Sequence, residues 1–175
     1  MQSSSVSQQL IVQIIGYKNT GKTTLVCRLT ERFKQAGYTV GTIKRDAHHF
    51  QIDKPGTDTW KHQAAGADIT AITSSKSTAI MKAYSESLEQ LIAQMPEADV
   101  VLVEGFKDAD YPKIIMIRSE ADHELFKIAK NKIVAALWPE ASLPALTGES
   151  IHGIAVDQIE ELFQTLITIP KYLKS

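Results

Sequence analysis

The sequence predicts an α/β domain, in which a mostly parallel β-sheet with one antiparallel pair of strands is flanked by helices. Short apolar segments rich in β-branched residues alternate with segments of helical period, which is typical of parallel α/β folds. Two strand-like segments, 67–74 and 77–84, follow each other too closely for a crossover helix, so we expect them to pair antiparallel. A glycine-containing stretch at 16–24 separates the first predicted strand from the first predicted helix.

The first half of the chain opens with a buried strand and an amphipathic helix. The segment QLIVQII is short and almost continuously apolar, as expected for a strand buried on both faces. Apolar residues then recur at helical spacing from Leu25 to Ala36, and Gly37 is a natural stop. Cys27, in this helix, is expected to pack as a small hydrophobe. The predicted elements are a strand at 9–15, a helix over 25–36, a strand at 38–45, a loop at 46–59 and a short helix at 58–65.

The second half continues the alternation. The segment SLEQLIAQM has a helical period that Pro96 ends, and ADVVLVEG is a second strongly apolar strand that closes on an acid and a glycine. After the antiparallel pair, the predicted elements are a helix at 87–95, strands at 98–105, 113–118 and 132–138, and a helix at 156–166.

Size and charge restrict the function. The chain has 175 residues, and we expect a single domain over 9–175 after a disordered, Ser/Gln-rich N-terminus at 1–8. A net charge of −1 argues against a broad electrostatic grip on nucleic acid or anionic membrane. One cysteine, no apolar leader and no apolar run near the ~20 residues of a membrane helix make a cytoplasmic protein the simplest expectation.

Residues 16–23, GYKNTGKT, match the phosphate-binding pattern G-x-x-x-x-G-K-[ST], with a buried strand before it and an amphipathic helix after it. This context predicts a P-loop NTPase fold. The two glycines let the backbone curl close to a ligand, and the curled amides donate to phosphate oxygens at the positive end of the helix. The residues assigned to the nucleotide are Gly16, Lys18, Asn19, Thr20, Gly21, Lys22, Thr23 and Thr24.

Within this loop, Lys22 is expected to bridge the β- and γ-phosphates, and the Thr23 hydroxyl to ligate Mg²⁺. Glu104 ends an apolar strand at the Walker B position, and Asp46 follows the second strand. Because ligands lie beyond the carboxyl ends of strands in such sheets, we expect both acids to reach the metal, directly or through water. The alternative for each is a solvated acid at a strand end.

Three further residues have open interpretations. His48 and Asp53 lie in the polar loop, where they either bind substrate phosphate, position water or ligate metal, or are simply solvated. Lys107 neutralises phosphate or is an ordinary solvated lysine.

Trp60 and Trp138 are expected in a core or an interface rather than as base-stacking platforms.

The base specificity is not readable from the residues. An Asn-Lys-x-Asp guanine motif is missing, since the segment at 131–134 reads Asn-Lys-Ile-Val. No catalytic residue can be assigned, so the chain is expected to be at most a slow NTPase, on the order of 10⁻⁴ to 10⁻² s⁻¹ as for unassisted GTPases.

Three segments together closely resemble the molybdopterin-guanine dinucleotide biosynthesis adapter proteins, often called MobB. They are IIGYKNTGKTTL, VGTIKRDAHHFQIDKPGTDTWKHQAAGA and DVVLVEGFK, and the likeness covers about residues 10–118. The resemblance implies GTP binding with weak GTPase activity, assistance to the guanylyltransferase that joins GMP to molybdopterin, delivery of GTP or the pterin, and a homodimer.

Two other functions compete with this one. A P-loop small-molecule kinase using ATP or GTP needs an arginine-bearing lid, and arginine is sparse in this sequence. A structural module with an inactive P-loop is the third, but the lysine, threonine and acids of the motif are all present.

Overall fold

The computed structural model describes residues 8–45, 50–144 and 151–173. Contacts divide the chain into two compact units, one formed by residues 1–45 and 91–175 and the other by residues 46–90. We call the described parts of these the sheet unit and the hairpin unit. Of the N-terminus expected to be disordered, residues 1–7 lie outside the described residues, and Gln8 is already part of the first strand.

The sheet unit contains seven of the strands in the described part of the chain. The elements of the unit are β1 (Gln8–Ile15), α1 (Lys22–Gln35), β2 (Val40–Lys44), β5 (Val100–Glu104), β6 (Lys113–Ile117), α4 (His123–Ile128), β7 (Lys132–Leu137), β8 (His152–Ala155), α5 (Ile159–Ile167) and β9 (Tyr172–Leu173). The hairpin unit contains α2 (Asp58–Ala64), β3 (Ile69–Thr73) and β4 (Thr78–Lys82), and α3 (Leu88–Ala93) spans the boundary.

The strand order of the large sheet is β2-β5-β1-β6-β7-β8, and every neighbouring pair in this order is parallel. β9 pairs antiparallel with the start of β1. The α/β fold with a mostly parallel sheet is therefore confirmed. Parallel strands bring their carboxyl ends to one edge, so the ends of β1, β2, β5, β6 and β7 meet where the glycine-containing loop lies.

The core lies on both faces of the central strands. β5 is buried along its whole length, as its continuous apolar sequence predicts. On one face α1 packs Leu25, Leu29 and Phe33 against the sheet, and Phe33 meets the ring of Phe163 edge-on at 5.0 Å. The carboxyl ends of these strands are therefore held by a well-packed core.

Three details of the first helix differ from the prediction. It begins at Lys22, directly after the glycine loop, and ends at Gln35. Ala36 is therefore its exposed C-cap rather than part of the buried stripe. Cys27 is exposed, because the buried face of the helix is formed by Leu25, Val26, Leu29 and Phe33.

Sequence patterns missed four short elements. They are β8, β9, α4 and a 3₁₀ turn at Glu120–Asp122. The turn is held by the Asp122 carboxylate, which accepts hydrogen bonds from the backbone N–H groups of Arg118 and Ser119 at 2.8 and 2.9 Å. Elements this short depend on tertiary contacts rather than on propensity, so their periodicity carries little signal.

The hairpin unit confirms the predicted antiparallel pair, in which Ala71 lies opposite Ile80. The predicted short helix is also present, and the Thr57 hydroxyl caps its start by accepting from the N–H of Trp60. Of the predicted loop, residues 46–49 lie outside the described residues. No helix in the described part of the chain is long and apolar enough to cross a membrane.

Candidate functional site

The candidate site is the loop between β1 and α1, whose conformation requires glycine at two positions. A Cβ at Gly16 would lie 2.5 Å from Thr20 Oγ1 and 2.9 Å from Met116 Cβ, so a side chain there is sterically excluded. Gly21 has a φ of 88°, a left-handed conformation that glycine adopts without a steric penalty. Asn19 is also left-handed, with a φ of 64°, which asparagine tolerates better than most residues.

Tyr17 is the internal anchor of this loop. Its carbonyl oxygen accepts hydrogen bonds from Thr20 Oγ1 at 2.9 Å and from Lys22 Nζ at 2.7 Å. Partial burial lowers the pKa of Lys22, while Glu104 opposes that effect and Lys44 adds to it. The ammonium group thus lies inside the loop, among donors that suit a polyanionic ligand.

At the start of the helix, a hydroxyl, a carboxylate and an ammonium group meet. Thr23 Oγ1 lies 3.0 and 2.9 Å from the two carboxylate oxygens of Glu104, to which it donates. Lys44, at the end of β2, places Nζ 3.3 Å from Glu104 Oε1 and 3.5 Å from Thr23 Oγ1. Glu104 is only 8% exposed, so the ion pair with Lys44 compensates a carboxylate that has little water around it.

These groups line one depression of about 290 Å³. The lining residues are Lys18, Asn19, Gly21, Lys22, Thr23, Thr24, Lys44 and Glu104. Most of the residues assigned to the nucleotide are thus brought together, whereas Gly16 and Thr20 are not among the lining residues. The lining residues are mostly polar or cationic and lie on a curled loop at a helix N-terminus, which suits the binding of phosphate groups.

A magnesium ion is compatible with the oxygen atoms present. The hydroxyl of Thr23 and the carboxylate of Glu104 are hard ligands of the kind that Mg²⁺ takes together with water and phosphate oxygens. Across the described residues, no group of three or more His, Cys, Asp and Glu side chains is arranged to hold a metal by itself. Thr23 and Glu104 are thus the described residues that would hold the ion.

The remaining predicted residues are Asp46, His48, Asp53 and Lys107. Asp46 and His48 lie outside the described residues. Asp53 belongs to the hairpin unit, where its Oδ1 accepts from the N–H of Lys54 at 2.8 Å and from Thr57 Oγ1 at 2.7 Å. Hydrogen bonds from Thr59 and Thr57 lower the pKa of Asp53. Its visible role is to organise the turn before α2.

Lys107 is exposed in the turn that follows β5. The turn itself is held by Gln13, a fully buried residue of β1, whose Nε2 donates to the carbonyl oxygens of Gly105 and Phe106 at 3.1 and 2.6 Å. Sequence reasoning treated Gln13 only as part of an apolar strand. A glutamine in such a run was the available signal, since a buried amide must find partners.

Two further contacts of the loop were also missed. Arg118 Nη1 donates to the carbonyl oxygen of Asn19 at 2.7 Å, and Trp138 Nε1 donates to that of Thr20 at 2.9 Å. Both residues directly follow strands of the sheet, β6 and β7. Their position at strand ends was the signal that could have placed them beside the loop.

Comparison with known proteins agrees with this geometry. The model of the family described as molybdopterin guanine dinucleotide synthesis protein B matches residues 11–138. A probable molybdopterin-guanine dinucleotide biosynthesis adapter protein of Bacillus subtilis (strain 168) is 36% identical over 132 residues, which cover 73% of this chain and 75% of that protein. The molybdopterin-guanine dinucleotide biosynthesis adapter protein of Escherichia coli (strain K12) is 30% identical over 139 residues, which cover 76% of this chain and 79% of that protein.

A solved structure extends the likeness to three dimensions. The crystal structure of Bacillus subtilis MobB superimposes with a TM-score of 0.71 and 29% sequence identity, covering 89% of this chain and 96% of that chain. The likeness in fold therefore extends over 89% of this chain.

Proposed function

Because the chain belongs to the MobB family, we propose that it is a GTP-binding adapter in the biosynthesis of molybdopterin guanine dinucleotide. The observation that carries this proposal is the depression in which the curled loop, Lys22 and the Thr23–Glu104 pair converge. The adapter role is supported by the names of the relatives from Bacillus subtilis and Escherichia coli.

The described residues have distinct roles in this proposal. The backbone amides from Lys18 to Thr24 receive the phosphate oxygens, and Lys22 exchanges its bond with Tyr17 for phosphate. Thr23 and Glu104 hold Mg²⁺, which neutralises phosphate charge. Lys44 keeps the Glu104 carboxylate compensated when the ion is absent and lies at the same edge.

The finer parts of the function come from the family resemblance. We propose the molybdopterin guanylyltransferase as the partner and molybdopterin as a second ligand. Asp46 is a candidate ligand of Mg²⁺, directly or through water, and His48, Asp53 and Lys107 are candidates for contact with substrate or water. Hydrolysis is expected to be slow, on the order of 10⁻⁴ to 10⁻² s⁻¹ without a partner. We place the function in the cytoplasm, where a free, exposed thiol such as that of Cys27 stays reduced.

A homodimer is part of the same proposal, and the hairpin unit offers the surface. Ile69 and Ile80 are 54% and 62% exposed, and with Ala71 they lie on one face of the pair, because Ala71 is opposite Ile80. The other face carries Thr70 and Met81, and Met81 Sδ accepts from Gln63 of α2. The exposed isoleucines Ile69 and Ile80 suit contact with a second copy of the chain.

The deciding experiment is calorimetric titration of GTP and ATP, each with and without Mg²⁺, into the wild type and Lys22→Ala. We expect Mg-GTP to bind, ATP to bind much more weakly, and Lys22→Ala to lose affinity without loss of fold. Lys34→Ala is the matched control, because Lys34 is an exposed lysine at the far end of the same helix.

Other outcomes have definite meanings. Unchanged GTP affinity in Lys22→Ala would remove the phosphate assignment. A preference for ATP would favour the small-molecule kinase and direct the search to a phosphoryl acceptor.

A further inference from the structure

Two residues outside the glycine loop hold two successive carbonyl groups of that loop. Arg118 Nη1 donates to Asn19 O at 2.7 Å, and Trp138 Nε1 donates to Thr20 O at 2.9 Å. These carbonyls belong to the part of the loop where φ turns positive, at Asn19 and Gly21. The two contacts are therefore made where the backbone is least able to hold its own conformation.

The planarity of the peptide bond makes these contacts relevant to ligand binding. In a trans peptide the C=O and N–H groups point in opposite directions. Fixing the carbonyls of Asn19 and Thr20 from one side consequently fixes the N–H groups of Thr20 and Gly21 on the other. Those N–H groups are among the donors that a P-loop directs at phosphate.

The two side chains also hold each other in place. The Arg118 guanidinium lies 5.1 Å from the centre of the Trp138 ring. A Cβ added to Gly21 would lie 3.1 Å from Trp138 Cζ2, so the indole packs directly against that glycine. The backbone of Arg118 is in turn fixed by the buried carboxylate of Asp122, which accepts its N–H at 2.8 Å.

We propose that Arg118 and Trp138 are positioning residues that preset the amides of the glycine loop for phosphate, acting through the Asn19 and Thr20 carbonyls. This proposal rests on the proposed function only in that the loop binds a polyphosphate. It does not depend on the base or on the partner. The pair acts on the phosphate part of the ligand, whichever nucleoside is attached.

The test compares a ligand that has a base with one that has none. Mg-GTP and Mg-tripolyphosphate are titrated into the wild type, Arg118→Ala and Trp138→Phe. We expect Arg118→Ala to weaken both ligands by about tenfold and Trp138→Phe by about threefold, the scale of one charged and one neutral hydrogen bond. Arg118→Lys, which keeps a cationic donor, should regain part of the loss.

The controls separate positioning from general damage. Arg28→Ala removes an arginine that donates to the carbonyl oxygens of Val156 and Asp157, outside the loop, and should leave both affinities unchanged. Trp60→Phe, in the hairpin unit, is the control for Trp138→Phe. In a Trp60→Phe background, the fluorescence of Trp138 should shift when Mg-tripolyphosphate binds, because the indole touches the loop.

Each contrary result has one meaning. If the variants weaken GTP but leave tripolyphosphate unchanged, Arg118 and Trp138 contact the nucleoside and the positioning proposal is overturned. If both affinities stay at the wild-type value, the contacts are incidental and only this proposal fails. If the wild type binds neither ligand, the loop is not a polyphosphate site, and the proposed function fails together with the positioning role.

Discussion

The sheet unit buries the apolar residues of its central strand β5, whereas the hairpin unit leaves most of those of β3 exposed. In the sheet unit, all five residues of β5 are buried, whereas in β3 only Thr70 is buried and Ile69 and Ile72 are more than half exposed. β5 has a neighbouring strand on both edges, β2 and β1, and the helix α1 packs against one face of the sheet. The hairpin has two strands and one short helix, which leaves a face open. Apolar sequence therefore shows what a strand can bury, while topology decides what it does bury.

The largest expected effect is the difference in stability loss between two Phe→Ala substitutions, one in each unit. Phe33→Ala removes a fully buried ring from the main core, and we expect it to lower the free energy of unfolding by about 3–5 kcal/mol. Phe50→Ala is the matched change in the hairpin unit, where Phe50 is 70% exposed, and should cost no more than about 0.5 kcal/mol.

Urea unfolding measures both, with a separate fluorescent reporter for each unit. Trp138 reports on the sheet unit and Trp60 on the hairpin unit, and a Trp→Phe change at the other position isolates each signal. A low protein concentration keeps association from adding to the measured stability. A loss of several kcal/mol for Phe50→Ala would show that its ring is buried in solution and would break the comparison.

The next effect tests whether the open face of the hairpin is covered by a second copy. Ile80→Glu places a charge on that face, so we expect the proposed homodimer to dissociate to monomer in sedimentation experiments while the monomer keeps its stability within about 0.5 kcal/mol. Thr42→Glu is the control, because Thr42 is an exposed residue of the sheet unit, on its edge strand β2. A wild type that is monomeric, or a dimer that persists in Ile80→Glu, would contradict the proposed surface.

From the sequence, the strands, the glycine loop and the first helix of the sheet unit could be predicted, but the distant residues that support the loop could not. A strand, glycine loop and helix in direct succession leave few alternatives, so the loop, Lys22, Thr23 and Glu104 could all be assigned from local pattern. Gln13, Arg118 and Trp138 could not, because each acts on a backbone segment that is distant along the chain and close only in the folded sheet. Asp53 was predicted as a candidate site residue, yet its described partners are local, and a polar loop pattern does not distinguish the two roles.

The smallest expected effect is the pH dependence of stability that one exposed carboxylate contributes in each unit, Glu160 in the sheet unit and Asp53 in the hairpin unit. Glu160 of the sheet unit accepts from Arg32 Nε at 2.6 Å and Nη2 at 3.0 Å, a contact between α5 and α1. The bond from Arg32, assisted by Gln164, lowers the pKa of Glu160 to about 2. Because the folded pKa is depressed, the stabilisation is present above the ordinary value near 4.5 and is lost as the pH falls towards 2.

Glu160→Gln should therefore have a lower urea midpoint than the wild type at pH 7, and the difference should shrink between pH 4.5 and 2. Since the pair is exposed, the difference should be small and should decrease further in 1 M salt. Asp53→Asn provides the comparison, because the pKa of Asp53 is lowered by Thr59, in the first turn of α2, and by Thr57, the cap of that helix. We expect its pH dependence in the Trp60 signal alone, while that of Glu160→Gln appears in the Trp138 signal. The same pH dependence in both signals would mean that the two units unfold as one, and the distinction between them would then describe burial but not stability.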